Sequence, residues 1–445
     1  MSQKIDMLHG PLGRKILLFA LPLAASSVLQ QLFNAVDVAV VGHFASSEAL
    51  AAVGSNSPVI NLLVNLFVGI SMGANVVIAN HIGQGNQEGI RRAIATSGLV
   101  AILSGLALMV LGLCVARPIL ELMGAPDNVI DLATLYLRIY FCGMPFIMVF
   151  NFGSSILRSM GDTRRPLYCL LVSGVINTVL NLILVVGFDM SVDGVAIATV
   201  VANIVNASMV VYMLLREPGA FRLEPRRMKI YWPELRKMLQ IGVPTGVQGI
   251  VFSLSNVVIQ STVNSFGSAA MGGSAASLTY EQFCYFVMAA FCGAAVTFVG
   301  QNYGAGEKAR CRRVFRLCMS MAVVSTLVLN VVITVFDGFF VSFFSSDPAV
   351  YAFASERMHI TLLTQAIACS YEIGGSTLRG MGHSAMPAVM TIFGTCLLRL
   401  AWVLWVFPLI PTYGGLMTVY PVSWAVTGTL VLLAYWHVSR RELAD

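Results

Sequence analysis

Long apolar stretches separated by short polar loops recur along the whole chain of 445 residues. Most stretches reach or exceed the roughly 20 residues that a helix needs to cross a bilayer, where a helix also satisfies its own backbone hydrogen bonds. The pattern predicts twelve transmembrane helices, at 15–42, 49–80, 93–116, 129–157, 167–187, 192–215, 238–264, 271–300, 314–341, 350–378, 388–409 and 414–438. We therefore predict an all-α polytopic membrane protein.

The composition agrees with this pattern. Hydrophobic residues make up 57% of the chain and charged residues 11%, whereas a soluble domain is about a quarter charged. The nine cysteines contain no C-x-x-C pair and lie almost all within apolar stretches, so neither a disulfide framework nor a zinc site is predicted. A water-soluble globular protein is excluded.

The positive charge is concentrated in the loops and tails. The net charge is +6, and 23 of the 27 Lys and Arg fall in segments that share one side of the membrane when the N-terminus is cytoplasmic. This asymmetry follows the positive-inside rule and predicts that both termini are cytoplasmic. We interpret the charge as a topology signal and expect no nucleic-acid partner.

One long, charged, proline-containing break divides the chain nearly in half. This cytoplasmic linker, 216–237, separates a predicted N-lobe, 1–215, from a predicted C-lobe, 238–445. Each lobe contains six predicted helices, an even number, so both lobes enter the membrane in the same direction. The two halves are therefore predicted to be parallel repeats, between which transporters commonly bind their substrates.

The two halves also match in sequence at a nearly constant offset. Pro22 corresponds to Pro244 and Asn34 to Asn256 at an offset of 222. The segment LRSMGDTRRP at 157–166 matches LRGMGHSAMP at an offset of 221. Agreement along the whole chain at one spacing indicates an internal duplication.

The first predicted helix contains an acid, Asp37. A carboxylate in the hydrocarbon costs about 2.5 to 3.5 kcal/mol on insertion scales, and such residues usually face a protein interior and bind something. Its counterpart in the second half is Ile259, so the fold does not require the acid in both repeats. A local structural Asp remains the alternative. Asn34, one turn earlier, is a candidate for substrate contact.

Two asparagines in the fifth predicted helix could join this acid. Asn177 and Asn181 are four residues apart and share one helical face, and Thr199 offers a hydroxyl in the sixth predicted helix. A carboxylate with amide and hydroxyl oxygens suits Na⁺, and the same carboxyl group could equally carry a proton. Hydrogen bonding between helices is the alternative role for the asparagines.

The second half has intramembrane acids of its own. Glu281 is flanked by aromatic residues that include Tyr280, and Glu372 lies nearer the cytoplasmic side. An acid among aromatic rings suits an organic cation. Pairing of either glutamate with Arg399 in the eleventh predicted helix is the competing interpretation.

One motif raises an enzymatic alternative. The sequence 69–73 fits G-x-S-x-G, which would make Ser71 the nucleophile of a membrane hydrolase. That motif requires a strand-to-helix turn, whereas this stretch lies within an apolar helical segment. We expect small residues for close helix packing, and we expect no enzyme and no cofactor.

Several segments together resemble one family. The segments FNAVDVAVVGHF, ALAAVGSNSP, GQGNQEGIRRA, LRSMGDTRRP, TFVGQNYGAGEKARCRR and LRGMGHSAMP are similar to the multidrug and toxic compound extrusion (MATE) family. The resemblance implies two V-shaped six-helix lobes and drug efflux in exchange for Na⁺ or H⁺. By the same resemblance, Asp37 matches the coupling acid and Asn177, Asn181 and Thr199 match its cation site. Pro22 matches a proline about which the first helix is thought to bend.

The chain departs from the family pattern at several positions. Members with the full N-lobe cluster have an acid where this chain has Asn181, which leaves the choice between Na⁺ and H⁺ open. Another branch has acids at the positions of Ile259 and Ala368. Coupling through the second half would need Glu281 or Glu372 instead.

These features predict a monomeric secondary antiporter of the bacterial inner membrane that exports organic, mostly cationic compounds. A flippase for a lipid-linked saccharide or another amphiphile is the rival. An anionic headgroup calls for several basic residues at membrane depth, and only Arg138, Arg357 and Arg399 are candidates.

Overall fold

The structure is a computed structural model that describes residues 4–122 and 127–444, and helices dominate it. The first half contains α1 Leu12–Phe44, α2 Ser47–Gly83, α3 Gln87–Leu122, α4 Asp127–Cys142, α5 Met144–Ser159, α6 Arg164–Asn181 and α7 Val192–Leu215. The second half contains α8 Trp232–Asn264, α9 Ser268–Gly304, α10 Lys308–Val335, α11 Asp337–Ser342, α12 Pro348–Gln365, α13 Cys369–Gly380, α14 Ala385–Thr391, α15 Leu398–Ala401, α16 Tyr413–Met417 and α17 Val419–Glu442. No β-strand occurs in the described residues.

The predicted helical fold is confirmed. In the described part of the chain, ten helices are long and apolar enough to cross a membrane, and α4 with α5 forms an eleventh span bent by 48°. The predicted span 350–378 is helical in α12 and α13 but is not among these, and it contains Glu356, Arg357 and Glu372. The molecule is a multi-pass membrane protein.

Backbone geometry repeats with the sequence. Gly85 and Gly306, at an offset of 221, lie two residues after the ends of α2 and α9 and have φ of 65° and 76°. Gly161 and Gly382, at the same offset, follow α5 and α13 with φ of 86° and 93°. Since this left-handed conformation is unfavourable for residues with a Cβ atom, both halves use glycine to leave a helix in the same way.

Stretches of π-helix also recur between the halves. Leu182–Gly187 follows α6, and Trp402–Val406 falls at the corresponding place in the second half. A further π-helical stretch, Ile392–Leu397, follows α14. Such stretches occur frequently at functional sites, and the first begins directly after Asn181.

The described residues form two compact units. The first unit comprises 4–6 and 25–246, and the second unit comprises 7–24 and 247–444. The chain thus changes unit within α1, two residues after Pro22, and within α8, two residues after Pro244. The division into lobes at the linker 216–237 remains a prediction, whereas these units report which segments pack together.

Within the first unit, α2 and α8 pack with their backbones almost in contact. A Cβ atom on Gly73 would lie 2.2 Å from the carbonyl oxygen of Met238, and one on Gly69 would lie 2.5 Å from that of Gly242. The hydroxyl of Ser71 donates to a carbonyl one turn earlier in α2, at 2.8 Å. The G-x-S-x-G stretch is therefore a helix-packing motif inside α2 and not a nucleophile turn.

Candidate functional site

The site begins with the second part of α1, which carries Asp37 one turn after Phe33. A Cβ atom on Gly174 of α6 would lie 1.8 Å from the Phe33 ring, so the glycine leaves the space that this ring fills. Asp37 itself is only 9% exposed. The fit of ring and glycine therefore helps to hold the carboxylate against α6.

The structure brings together the four residues that were predicted to share a cation site. The Asn181 side-chain amide donates to Oδ1 of Asp37 and, at 3.3 Å, to Oδ1 of Asn177. The Asn177 amide donates to the Thr199 hydroxyl at 3.4 Å, and that hydroxyl also lies close enough to interact with Asp37. One chain of contacts thus links α1, α6 and α7. The role of the four residues in binding a cation remains a prediction.

The oxygen atoms of this cluster are suitable ligands for a hard monovalent cation. Oδ1 of Asn181 is buried and has no hydrogen-bond partner among the described residues. The amide nitrogen of the same side chain contacts the carboxylate of Asp37 and the amide oxygen of Asn177, and hard cations prefer oxygen ligands of these kinds. An amide oxygen that is buried without a partner is costly, so a bound cation would satisfy it.

Two tyrosines near Asp37 were not predicted. Tyr136 and Tyr140 of α4 stack with their ring centroids 6.0 Å apart, and both interact electrostatically with Asp37. Tyr136 is buried and Tyr140 half-buried. Their spacing of four residues in one apolar helix placed the rings on one face, but nothing in the sequence indicated that this face lies near α1.

In the second unit, Glu281 is part of a buried ion pair. Nε of Arg357 donates to Oε1 of Glu281 at 2.7 Å, and Nη2 donates to Oε2 at 3.2 Å. The hydroxyls of Thr361 and Ser277 donate to the same Oε1 at 2.8 and 3.0 Å. Arg357 is only 1% exposed, so this ion pair is shielded from solvent.

In the described residues Arg399 pairs with neither Glu281 nor Glu372. The alternative interpretation, in which Arg399 pairs with one of these glutamates, was therefore wrong. Its Nη1 donates to Oδ1 of Asn256 at 2.7 Å, and its Nε to the hydroxyl of Ser423 at 3.4 Å. Its guanidinium group lies over the rings of Phe252 and Tyr420, at 5.1 and 4.6 Å from the centroids. The partner of Glu281 is Arg357 instead. The two residues are 76 positions apart, so no local sequence pattern indicated this pair.

The remaining candidates for substrate contact lie on different helices, α1, α9 and α13. The Tyr280 hydroxyl donates to the carbonyl of Phe340 at 2.8 Å, which ties this ring to α11. Asn34 is exposed on α1, and Glu372 is half-buried on α13. The roles of Asn34, Tyr280, Glu372 and Arg399 in substrate binding remain predictions.

A helical membrane fold with an internal duplication is typical of membrane transporters. The MatE family model matches residues 22–183 and 244–405, two segments that begin at Pro22 and Pro244. The chain therefore belongs to the MatE family, the multidrug and toxic compound extrusion family that the motifs resemble.

Individual relatives agree with this assignment. The probable multidrug resistance protein YoeA of Bacillus subtilis is 33% identical, over 85% of this chain and 84% of that protein. The probable multidrug resistance protein NorM of Thermotoga maritima is 26% identical, over 87% and 84%. A FAD transporter of Shewanella oneidensis is also 26% identical, over 80% and 79%.

Solved structures share the fold. A crystal structure of MATE in the bent conformation has a TM-score of 0.91 and 20% identity, covering 99% of this chain and 98% of that one. A MOP superfamily transporter from Pyrococcus furiosus has a TM-score of 0.91 and 19% identity, covering 100% of both chains. The fold of two helical repeats is therefore shown.

Proposed function

We propose that this protein is a secondary antiporter that exports organic, mostly cationic compounds in exchange for Na⁺ or H⁺. Asp37 is the coupling residue, and Asn177, Asn181 and Thr199 complete its ion site. The observation that carries the proposal is the buried carboxylate of Asp37 in contact with an amide whose oxygen lacks a partner.

The contacts of two buried arginines argue against an anionic substrate. Arg357 is paired with Glu281, and Arg399 is held by Asn256 and two aromatic rings. These two guanidinium groups are therefore occupied, which leaves Arg138 as the one basic candidate of the three for an anionic headgroup, or for a dinucleotide such as the one that gives the Shewanella relative its name. This favours drug export over the flippase alternative.

The location and energetics follow from the same proposal. The protein acts in the bacterial cytoplasmic membrane as a monomer, with both termini cytoplasmic, and alternates between access to the two sides. Ion binding at Asp37 shifts that equilibrium only as far as the two states differ in ion affinity. One charge that moves through about 100 mV supplies roughly 2.3 kcal/mol.

Ethidium transport into everted membrane vesicles tests this function under separately imposed Na⁺ and pH gradients. We expect one gradient to accelerate uptake by the wild type, and that gradient identifies the ion. Asp37→Asn should lower the gradient-driven rate of ethidium uptake about tenfold, because the amide cannot release and rebind a cation. A tenfold effect lies within the usual range of coupling free energies.

A second acid of the first unit provides the matched control. Asp131 is exposed and pairs with Arg117 at 3.0 Å, so Asp131→Asn makes the same chemical change outside the site. This variant should transport like the wild type. Equal acceleration in Asp37→Asn and the wild type would contradict the coupling role.

A further inference from the structure

The second unit has a pocket where the start of α10 meets the end of α17, in a different unit from Asp37. Its volume is about 390 Å³, within the usual range for ligand pockets. Arg312 and Arg440 line it together with the aromatic rings of Tyr435 and Trp436. No Asp or Glu is among the described residues that line it, so the pocket favours a negatively charged ligand.

Contacts between the two helices build the walls of this pocket. The rings of Phe315 and Tyr435 stack with their centroids 3.9 Å apart, which joins the start of α10 to the end of α17. Nζ of Lys308 donates to the carbonyl oxygen of Ala444 at 2.8 Å, so the segment after α17 is also held against α10. The pocket is therefore a built feature of the fold.

The positive charge of Arg440 is not balanced by a carboxylate. Its guanidinium group lies over the Trp436 ring, 3.8 Å from the centroid, and it has no acidic partner in the described part of the chain. Both carboxylate oxygens of Glu442, two residues later, are engaged elsewhere. The Tyr303 hydroxyl donates to Oε2 at 2.8 Å, and Nε2 of His383 lies 2.8 Å from Oε1.

The first half has a corresponding basic pair that carries its own counter-charge. Arg91 and Arg92 correspond to Arg312 and Arg313 at the offset of 221. Nitrogen atoms of the two first-half arginines lie 3.8 and 2.9 Å from the carboxylate of Glu88. The first half thus neutralises its arginines with an acid from the same helix.

The second half has lost that acid and gained another base. The counterpart of Glu88 is Ala309, and the counterpart of Ala95 is Arg316. Each of these two differences makes the start of α10 more positive than the start of α3. Arg316 is exposed and, like Arg312, interacts electrostatically with the phenol of Tyr435. A negative charge at this place would have to come from outside the helix.

Exposed apolar side chains beside the pocket indicate what kind of anion it binds. Leu433 and Trp436 are 58% and 52% exposed, and their spacing of three residues places them on one face of α17. Tryptophan is typical of helix ends at the membrane surface. A free phosphate would use the arginines alone, whereas a phospholipid would also use these apolar side chains.

We propose that this pocket binds the headgroup of an anionic phospholipid, with Arg316 and Arg440 beside the phosphodiester and Leu433 and Trp436 beside the acyl chains. Basic pockets between membrane helices on the cytoplasmic side bind such headgroups, and that is the side predicted for these helix ends. The site adds a lipid partner to the proposed transport function and does not depend on that function.

Fluorescence quenching in lipid vesicles tests the site, because Trp436 lies in it. The purified full-length protein is placed in phosphatidylcholine vesicles that contain a rising fraction of brominated phosphatidylglycerol. Subtracting the emission of Trp436→Phe isolates the signal of this one tryptophan. We expect brominated phosphatidylglycerol to quench Trp436 at a mole fraction about tenfold lower than brominated phosphatidylcholine does. Arg316→Gln/Arg440→Gln should remove this preference, because two charges near the membrane surface are lost.

Two further double variants serve as controls. Arg91→Gln/Arg92→Gln removes two arginines from the corresponding helix of the first half and should leave the lipid preference unchanged. Arg316→Lys/Arg440→Lys keeps both charges and should retain most of it. Equal quenching by the two lipids in the wild type overturns the proposal. A preference that survives in Arg316→Gln/Arg440→Gln, or that is lost equally in Arg91→Gln/Arg92→Gln, overturns it as well.

Measurements on the wild type keep the proposal testable if Arg316→Gln/Arg440→Gln does not fold. About 1 M salt, at which the screening length is about 3 Å, should abolish the preference for phosphatidylglycerol. A preference that persists in this salt overturns the proposal. Glycerophosphoglycerol, the same headgroup without acyl chains, should not relieve the quenching at millimolar concentration. Relief by this soluble compound overturns the assignment to a lipid.

Discussion

At the level of single residues, Gly174 controls how closely α1 approaches α6 near Asp37. The ring of Phe33 occupies the volume that any other side chain at position 174 would need. Because Phe33 and Asp37 are one turn apart on α1, displacement of the ring also displaces the carboxylate from Asn181. A residue without chemistry of its own thereby helps to position the candidate ion site.

Gly174→Ala should therefore weaken gradient-driven ethidium transport and lower the free energy of unfolding by about 1–3 kcal/mol, as overpacking does. Thermal unfolding and the vesicle assay measure the two effects. Adding Phe33→Ala should restore part of the stability by making room for the methyl group. Gly187→Ala is the control because a Cβ atom there meets nothing within 4 Å, and an equal loss in that variant would contradict the argument.

The buried pair of Glu281 and Arg357 permits a second prediction at this scale. Arg357→Met leaves a buried carboxylate without its cation and should lower the free energy of unfolding by about 3–5 kcal/mol. The double variant Glu281→Gln/Arg357→Met removes both charges and should recover much of that loss. Thermal unfolding in detergent distinguishes the two.

An exposed ion pair gives the comparison for this series. Arg117 and Asp131 are both about half exposed or more, and breaking such a pair typically changes stability by about 0–1 kcal/mol. If Arg357→Met unfolds at the same temperature as Arg117→Met, the buried pair is not a structural one and Glu281 is available for other roles.

At the level of elements, α1 and α8 share an unusual property. Each is a continuous helix of 33 residues with a proline inside, and each changes compact unit two residues after that proline. Proline lacks the N–H that would bond to the carbonyl four residues earlier, so the helix is weakest near this position. We infer that Pro244 is a bending point equivalent to the one predicted at Pro22.

Pro244→Ala should stiffen α8 by restoring the missing hydrogen bond, with a gain in helix stability of up to about 3 kcal/mol. We expect slower ethidium transport, as for Pro22→Ala, with ethidium binding retained. Pro118→Ala is the matched control because α3 also contains an internal proline but stays in one unit along its whole length. A transport defect of equal size in Pro118→Ala would rule out a hinge.

At the level of the whole molecule, the sequence was sufficient for the helices, the duplication and the proximity of the asparagines to each other. These follow from local periodicity and from the constant offset between the halves. For the contact of Asp37 with Asn181, residue chemistry suggested the grouping and the family resemblance supported it, because the two residues are 144 positions apart and no local pattern links them. Three features depend on tertiary packing and were missed. They are the pairing of Glu281 with Arg357, the position of Tyr136 and Tyr140 near Asp37, and the π-helical stretches.

The change of unit within α1 and α8 has a consequence for biogenesis. Close packing of α2 against Gly242 cannot form until the ribosome has passed the linker and inserted the start of α8. Conversely, Phe19 is among the first residues made, yet its ring partner, 5.5 Å away, is Phe298. The order of assembly therefore differs from the order of translation. A first half expressed alone would leave the translocon without the packing partners of two surfaces, the glycine-lined face of α2 and the ring of Phe19.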